Sequence, residues 1–430
     1  MIMAQEVESR TVTIGESLIE RYIAIRSFTA TLCETLSAED CCLQSMANAS
    51  PVRWHLAHTS WFFETFLLGL DPQYRVFDEH YEVLFNSYYN AVGEQFPRDQ
   101  RGLLSRPDLD ETYAYREYVD EAMLARLQSE WPADGTDVAQ IVELGIQHEQ
   151  QHQELILTDL KHLFSKNPLF PVYRDGERDT GTNVGPMNWS TCDEGIHEIG
   201  YVGEGFSFDN ELPRHRVFLE RYKLANRLVT SEEYLEFVED GGYSKPELWL
   251  ALGWDYVNRE GWEKPPYWYR VGDEWHEFTL AGLQPLDLAA PVSHVSYFEA
   301  DAFARWAGAR LPTETEWEVA SNNCPTHGNF ADKLIADSVA LHPNSSGIAG
   351  DSLAQMFGDA WEWTASSYSP YPGYSAPPGA LGEYNGKFMC NQYVLRGGSV
   401  ATSSTHIRPT YRNFFSPESR WQFAGIRLAK

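Results

Sequence analysis

The chain changes character at a stretch rich in proline and glycine, residues 167–188, and this change most constrains how it can fold. Before the stretch, long segments combine helix-favouring residues with apolar positions at helical spacing. After it, short strand-like runs, turns and tryptophans alternate with a few helices. Because 430 residues exceed one ordinary domain, we expect a helical domain and an α+β domain joined by a linker.

Four long helices are predicted in the first half, over roughly residues 16–36, 50–70, 110–131 and 141–163. The second begins with Ser50 as its N-cap and Pro51 at the first helical position. Long helices joined by loops indicate a bundle, in which metal sites are built from inward-pointing side chains. The loop over residues 71–107 is longer than a simple connection needs, and such loops are often functional.

A pair of histidines lies on the fourth predicted helix, in the run His148-Glu149-Gln150-Gln151-His152. Residues at i and i+4 share one side of a helix, so the two imidazoles can converge on one metal ion. The spacing suits zinc, iron, copper or nickel alike. The run also matches the H-E-x-x-H pattern of zinc metalloproteases, with Glu149 as general base. A solvated helix face with two incidental histidines is the structural alternative.

A metal ion needs further ligands, and the second helix offers one in His58. This residue is flanked on its own helix face by Trp54, Trp61 and Phe62, which directs it into the bundle. His55 lies about 60° of helical arc away and is given no metal role. A buried core histidine is the ordinary explanation for one such residue, but a His pair on another helix favours a ligand. The predicted metal ligands are therefore His58, His148 and His152.

Composition argues against several classes of protein. The formal net charge of −29 argues against a nucleic-acid-binding surface, which needs clustered Lys and Arg. The six cysteines include no C-x-x-C pair and are typical of reduced cytoplasmic thiols. The first residues lack an apolar signal-peptide core, and no run of about 18 apolar residues exists. We expect a soluble, cytoplasmic protein without nucleic-acid or membrane partners.

Three segments resemble the metal-binding, DinB-like bundle of EgtB-type ergothioneine sulfoxide synthases. They are Trp54–Glu64, Leu84–Tyr89 and His148–Glu154. The second half resembles the formylglycine-generating-enzyme/sulfatase-modifying fold, a C-type-lectin-like α+β domain. The matching stretches are Phe208–Glu211, Pro291–Ser296, Ala309–Glu318, Trp361–Thr364, Leu395–Ser399 and Gly425–Leu428. The resemblance covers nearly the whole chain, in the order found in the family.

The resemblance implies a domain plan: a DinB-like four-helix bundle over residues 10–170, a linker over 171–188 and a formylglycine-generating-enzyme-like domain over 189–430. Formylglycine-generating enzymes carry copper-binding cysteines after the Gly-Gly-Ser segment, whereas residues 400–415 contain none. We therefore exclude copper chemistry and expect the second domain to bind substrate. Ovothiol-type relatives usually carry an added methyltransferase domain, for which no residues remain, while a selenium-handling relative stays open.

The resemblance also implies a non-haem Fe(II) enzyme that uses O2 to join a cysteine-type thiol to C2 of the hercynine imidazole. Cysteine and γ-glutamylcysteine present the same sulfur, so the thiol donor stays open. Three neutral imidazoles leave three positions of an octahedral iron for substrates and O2. The rival hypotheses are a zinc metalloprotease, which needs one water position and a general base, and a non-catalytic thiol- or metal-binding protein.

A tyrosine is expected to donate a proton during the reaction, because O2 would otherwise oxidise the thiol to a sulfinate. The paired tyrosines of the long loop, Tyr88 and Tyr89, resemble the subgroup of the family whose donor lies in the bundle. Two tyrosines of the second domain, Tyr374 and Tyr384, are second choices. Two packed loop aromatics are the structural alternative.

Substrate-binding residues are expected in both halves. Arg98 and Arg101, with Arg106 as a weaker candidate, offer forked donors to the carboxylate of the thiol, unless they are surface ion-pair partners. Gln151 borders the predicted metal site, where it either contacts the hercynine imidazole or is an ordinary helix-surface amide. In the family, an Arg-Asn-aromatic segment binds hercynine, with cation–π attraction to its trimethylammonium group. The matching residues here are Arg412, Asn413, Phe414 and Phe415.

Overall fold

The structure, a computed structural model, describes residues 16–129, 137–178, 184–322, 324–345 and 352–430. The chain divides into two compact units, Met1–Asp159 (unit 1) and Leu160–Lys430 (unit 2). The start of the predicted bundle at residue 10, the predicted helix end at Trp131 and residues 179–183 of the predicted linker lie outside the described residues.

Unit 1 is helical, and its four long helices confirm the predicted DinB-like bundle. The last residues of the final helix, from Leu160 onwards, fall in unit 2. In chain order the helices are α1 (Glu16–Cys33), α2 (Ala38–Cys42), α3 (Val52–Phe66), α4 (Tyr81–Leu84), α5 (Leu109–Leu127) and α6 (Val138–Ser165), with α2 and α4 short.

The central helix of unit 1 is α3, whose side chains from Val52 to Glu64 are all buried. A helix without a solvent face must supply each of its polar groups with a partner inside the protein. Ser60 Oγ accepts a hydrogen bond from Arg26 of α1 at 2.8 Å, and Thr59 Oγ1 accepts one from Arg116 of α5 at 2.8 Å. The polar residues of α3 therefore fix it against its neighbours in the bundle.

The start of α3 differs from the prediction. Pro51 occupies the N-cap position and makes no side-chain cap hydrogen bond, so Ser50 is not the cap. The Ser50 hydroxyl instead accepts a hydrogen bond from Arg101 Nη1 at 2.9 Å, and its backbone N–H donates to Asp159 Oδ2 at 2.8 Å. These tertiary hydrogen bonds outweigh the local capping preference of serine.

Unit 2 contains small sheets. The strand pairs β1–β4 and β2–β3 are antiparallel, β5, β6 and β7 form an antiparallel meander, and the fourth sheet has the order β10-β9-β8-β11, with β11 parallel to β8. The strands are β1 (Trp189–Cys192), β2 (Gly195–Ile199), β3 (His215–Leu219), β4 (Tyr222–Ala225), β5 (Trp268–Val271), β6 (Glu274–Thr279), β7 (Gly282–Pro285), β8 (Trp361–Ser367), β9 (Tyr393–Arg396), β10 (Asn413–Phe415) and β11 (Ala424–Gly425).

Short helices accompany these sheets, and unit 2 is therefore α+β as predicted. All three predicted capping boxes form, at Thr230/Glu233, Ser296/Glu299 and Thr313/Glu316. No helix among the described residues is both long and apolar enough to cross a membrane. The helices are α7 (Ser231–Glu239), α8 (Ala251–Glu260), α9 (Tyr297–Trp306), α10 (Glu314–Ser321) and α11 (Ala331–Ala336).

Candidate metal centre

Three buried histidines meet inside unit 1. His58 comes from α3, and His148 and His152 come from successive turns of α6. One ring nitrogen from each lies within 4.8 Å of those of the other two, and the described residues contain no second group of metal-binding side chains placed this closely. The structure thus brings together the three residues that the sequence predicts as ligands.

The hydrogen bonding of His58 suits a metal ligand. Its Nδ1 lies 2.6 Å from the carbonyl oxygen of Phe85, which can only accept, so the ring proton belongs on Nδ1. The Nε2 of the neutral ring then carries a lone pair, and it lies 3.1 Å from His148 Nε2. Two ring nitrogens this close need a proton or a cation between them, and a third converging imidazole makes a metal ion the better fit.

Burial keeps the three rings in the neutral form that binds metals. Burial, reinforced by neighbouring histidines, lowers the pKa of His58 and His152 well below the usual range. Burial also lowers the pKa of His148 to about 3, despite the nearby carboxylate of Glu149. At neutral pH each ring therefore has a lone pair available, which suits a divalent transition metal.

A fourth histidine, His55, contacts the centre, although its angle around α3 predicts no metal role for it. His55 Nδ1 lies 2.8 Å from His152 Nδ1, and His55 Nε2 lies 3.2 Å from Asp159 Oδ2. Burial lowers the pKa of His55, and the Asp159 carboxylate opposes this shift. A signal for this arrangement exists in the sequence, because Asp159 follows His152 by seven residues and so lies near the same face of α6.

Glu149, the general base of the protease hypothesis, has other partners. Its carboxylate accepts hydrogen bonds from Arg26 Nη1 and Arg116 Nη2, both at 3.0 Å, and from Thr29 Oγ1 at 2.7 Å. Burial alone would raise the pKa of Glu149, but the two guanidinium groups hold it at about 2. A carboxylate enclosed by two arginines is poorly placed to take a proton from a metal-bound water, so the arrangement disfavours a zinc protease.

Of the arginines predicted to bind the thiol, Arg101 lies nearest to the histidines. Its guanidinium carbon lies 3.4 Å from the centre of the Trp54 ring, and that indole stacks on His58 with ring centres 4.5 Å apart. Arg101 is 3% exposed and lines a small cleft with Phe85. Arg98 and Arg106 are more exposed and donate to backbone carbonyl groups, and Arg106 lines the same cleft as Arg101.

A tryptophan, Trp61, lies between the paired tyrosines and His58. Tyr89 is fully buried, and its ring centre lies 5.7 Å from that of Trp61, which in turn stacks on His58. Tyr88 is half-buried and stacks on Tyr89, with ring centres 4.6 Å apart. Asn86 fixes this part of the loop, because its side chain bonds both the N–H and the carbonyl group of Tyr89 at 3.0 Å.

The remaining candidates occupy different settings. Gln151 is half-buried on α6, between the two histidines of that helix. In unit 2, Phe414 stacks on Tyr368 with ring centres 4.1 Å apart, and Asn413 and Phe415 are half-buried in β10. The second-choice tyrosines have partners of their own: Tyr374 donates to Asp209 at 2.7 Å, and the ring of Tyr384 stacks on Phe208.

Arg412 is a buried structural cation in this arrangement. Its Nε and Nη2 donate to the two carboxylate oxygens of Glu314, at 2.9 and 3.0 Å. Nη1 donates to the carbonyl oxygen of Asn210 at 2.8 Å, and Nη2 also donates to that of Ser369 at 2.9 Å. With four of its five N–H groups engaged, the side chain supports the start of β10 rather than offering a forked donor to a ligand.

Two family models match the chain. The DinB superfamily matches residues 22–156. The Sulfatase-modifying factor enzyme 1-like domain matches residues 191–345 and 339–430. The two matches fall on the helical and the α+β parts described above.

Known proteins are similar along most of the chain. The hercynine oxygenase of Mycobacterium tuberculosis is 33% identical, over 97% of this chain and 99% of that protein. The hercynine oxygenase of Mycolicibacterium thermoresistibile is 32% identical, over 88% of this chain and 87% of that protein. Ergothioneine biosynthesis protein 1 of Schizosaccharomyces pombe is 28% identical over 58% of this chain and 30% of that protein. With a buried three-histidine centre in its bundle and full-length similarity to such proteins, the chain belongs to the hercynine oxygenase family.

Proposed function

We propose that the protein is a non-haem Fe(II) sulfoxide synthase that joins a cysteine-type thiol to C2 of the hercynine imidazole. As a member of the hercynine oxygenase family, it is an O2-dependent oxidoreductase of ergothioneine biosynthesis. The observation that carries the finer assignment is the buried set of three neutral imidazoles without a carboxylate ligand. A cytoplasmic location remains a prediction.

The proposed reaction balances without a further reductant. The hercynine C2–H bond and the thiol S–H bond break, a C–S bond forms, and the sulfur gains one oxygen atom. The second oxygen atom of O2 leaves as water, which takes both hydrogens. Fe(II) held by His58, His148 and His152 would supply the redox chemistry that allows O2 to oxidise the two substrates.

Arg101 is the proposed anchor for the carboxylate of the thiol substrate. Its Nη1 bonds Ser50 Oγ, but its Nε has no hydrogen-bond partner among the residues that the structure describes. Burial, together with the charge of Arg98, lowers the pKa of Arg101. A buried cation that lacks a full set of partners gains most from a bound anion, because forked N–H groups match a carboxylate. Arg98 is proposed as an outer, exposed contact.

Tyr88 or Tyr89 is proposed to supply a proton from its phenol oxygen during C–S bond formation. Both belong to the loop that also gives His58 its hydrogen-bond acceptor, Phe85. A rigid attachment to that loop would hold the phenol at a constant distance from the reacting groups. We favour Tyr88 slightly, because it is half-buried whereas Tyr89 is fully buried.

Hercynine binding is proposed for Gln151, Asn413, Phe414 and Phe415. An aromatic face attracts a trimethylammonium group by about 0.5–2 kcal/mol, and Phe414 already belongs to an aromatic set with Tyr368 and Phe388. The Asn413 amide can bond the carboxylate of hercynine. Arg412, predicted as a direct contact, is now proposed to act through Glu314 by holding β10 in place.

Product analysis with defined metals tests this function. Protein purified without O2 is loaded with Fe(II) or with Zn(II) and given hercynine, O2 and either cysteine or γ-glutamylcysteine. We expect the sulfoxide conjugate with Fe(II) only, and the better thiol identifies the donor. Peptide hydrolysis with Zn(II) and no conjugate with Fe(II) would refute the proposal. Turnover of another histidine derivative in place of hercynine, or of a selenol in place of the thiol, would instead indicate an ovothiol-type or a selenium-handling activity.

A further inference from the structure

We propose that His55 is a positioning residue: together with Asp159, it holds His152 in the tautomer whose Nε2 can bind the metal ion. The inference rests on the proposed three-histidine metal site and adds two residues outside the ligand set. It makes the centre dependent on a side-chain relay that runs along α3 and α6.

The relay consists of three side chains that are closed off from water. His55, Asp159 and His152 are 2%, 4% and 8% exposed, so their hydrogen bonds must be made within the protein. His55 bridges the other two, with Nδ1 at 2.8 Å from His152 Nδ1 and Nε2 at 3.2 Å from Asp159 Oδ2. The backbone N–H of Ser50 donates to the same carboxylate oxygen at 2.8 Å, which anchors the far end of the relay.

The positions of the protons follow from counting donors. A carboxylate only accepts, so the proton between Asp159 and His55 belongs to His55 Nε2. A neutral imidazole carries one ring proton, which leaves His55 Nδ1 as an acceptor. The proton between the two rings must then belong to His152 Nδ1. His152 Nε2 is left with its lone pair, and this is the state that a metal ligand needs.

At His58 the proton is held on Nδ1 in a different way. There the acceptor for Nδ1–H is a backbone carbonyl oxygen, that of Phe85, which no substitution of a side chain removes. At His152 the acceptor is itself a side chain whose tautomer depends on Asp159. Outer hydrogen-bond partners of this kind typically change metal affinity 10–100-fold. Unlike the orientation of His58, that of His152 can therefore be released by a single mutation.

Metal titration gives the first test. His55→Phe removes both hydrogen bonds and keeps a ring, Asp159→Leu removes the acceptor, and Asp159→Asn keeps an oxygen that can accept from His55 Nε2–H. Thr158→Val is the matched control, because Thr158 is a buried neighbour on α6 that bonds only its own helix. With Co(II) or anaerobic Fe(II), we expect 10–100-fold weaker binding for His55→Phe and Asp159→Leu. Asp159→Asn and Thr158→Val should stay close to the original protein.

The tautomer itself can be read without metal or activity. In metal-free protein labelled with ¹⁵N at histidine, two-bond ¹⁵N–¹H spectra distinguish a proton on Nδ1 from one on Nε2. The His152 signals, assigned by their loss in His152→Gln, should show the Nδ1–H form, with the Nε2–H form appearing in His55→Phe and Asp159→Leu. Asp159→Asn should restore the Nδ1–H form, a rescue that a merely structural role would not predict.

The possible failures are distinguishable. If the unmutated protein carries the proton on His152 Nε2, or if folded His55→Phe binds metal with unchanged affinity, the relay has no positioning role. Failure of the unmutated protein to bind either metal ion would overturn the proposed function and this inference together. Should His55→Phe fail to fold, the spectrum of the unmutated protein and the two Asp159 variants still decide the question.

Discussion

The indole of Trp54 stacks on the imidazole of His58, with ring centres 4.5 Å apart and an angle of 15° between the ring planes. The same indole carries the guanidinium of Arg101 at 3.4 Å from its centre. A proposed substrate anchor and a proposed metal ligand therefore share one rigid support. Substitutions of Arg101 and of the histidines can therefore test separately the loss of substrate binding and the loss of metal.

Replacing Arg101 with lysine should weaken binding of the thiol while leaving the metal in place. Lysine keeps the charge but loses the planar fork and much of the stacking on Trp54. Charge-assisted hydrogen bonds contribute about 1.5–3 kcal/mol, so KM for the thiol should rise roughly 10–100-fold. Steady-state kinetics at matched iron content measures this, with Arg75→Lys as control, because Arg75 is exposed in the same long loop and donates to backbone carbonyl groups. An unchanged KM would remove Arg101 from the substrate site.

Replacing any one of His58, His148 or His152 with glutamine should abolish tight iron binding and formation of the conjugate. Each variant removes one of three converging ring nitrogens. Iron content after anaerobic loading and gel filtration is the measurement. His80→Gln is the control, since its side chain is 88% exposed. Full iron occupancy in His58→Gln would show that the ligand set is wrong.

Glu149→Gln should damage the fold more than the chemistry. The change removes the buried anion that Arg26 and Arg116 share, although Arg26 keeps its ion pair with Asp120, and breaking a buried pair typically costs about 3–5 kcal/mol. The folded, iron-loaded Glu149→Gln variant should still form the conjugate, whereas loss of a general base would lower the rate about 10²–10⁴-fold. Urea unfolding and single-turnover product yield measure the two effects separately. A stable but inactive variant would contradict this assignment.

Tyr88→Phe and Tyr89→Phe test the proton donor. Removal of the phenol oxygen should not prevent binding of the thiol or of hercynine, so O2 is still consumed and the thiol is diverted to its sulfinate. The ratio of sulfinate to conjugate, measured by mass spectrometry at matched iron loading, should rise in one of the two variants. Tyr74→Phe is the control, because Tyr74 lies in the same long loop and its hydroxyl donates to Glu64. If neither ratio changes, Tyr374 and Tyr384 become the next candidates.

Asp359→Asn should stabilise the protein more at pH 8 than at pH 4. Burial raises the pKa of Asp359 to about 6, although hydrogen bonds from Asn344 and Asn329 act in the other direction. The unfolded carboxyl titrates near 3.9, so the folded state favours the protonated form. The resulting contribution to stability is complete below about pH 4 and is lost as pH rises through 6.

Above pH 6 the ionised carboxylate in the core costs at most roughly 3 kcal/mol, from a shift of about two pKa units. Asparagine is uncharged and keeps an oxygen for the hydrogen bonds from Asn344 and Asn329, although it loses the one from the Gln355 side chain, so it avoids the cost of the buried charge. Urea unfolding at the two pH values, with Asp193→Asn as a control at a side chain that is 82% exposed, provides the measurement. An equal effect of Asp359→Asn at both values would show that Asp359 titrates normally.

Local patterns in the sequence predicted local structure well. The capping boxes at Thr230, Ser296 and Thr313 form because both of their hydrogen bonds lie within one helical turn. The three metal-binding candidates could be predicted because helical spacing fixes the side on which His148 and His152 lie. Ser50 shows the limit of such reasoning, since its hydroxyl bonds Arg101, 51 residues away, instead of capping α3.

Contacts between distant segments account for what the sequence did not reveal. The angle of His55 around α3 predicts no metal role, whereas its partners His152 and Asp159 both come from α6. Arg412 matched a substrate-binding segment, but the carboxylate that engages it, Glu314, lies 98 residues earlier in the chain. Charge pairing inside a core depends on packing, which periodicity in one sequence does not encode.

The absence of a solvent face on α3 has a consequence for redesign of the enzyme. Every side chain from Val52 to Glu64 is buried, so a library that varies this helix would mostly return proteins that fail to fold. The loop that carries Phe85, Tyr88 and Arg101 contacts His58 through the carbonyl group of Phe85 and includes many exposed positions. Redesign of the proposed thiol site therefore has the most room at the exposed positions of residues 71–107, with α3 left unchanged.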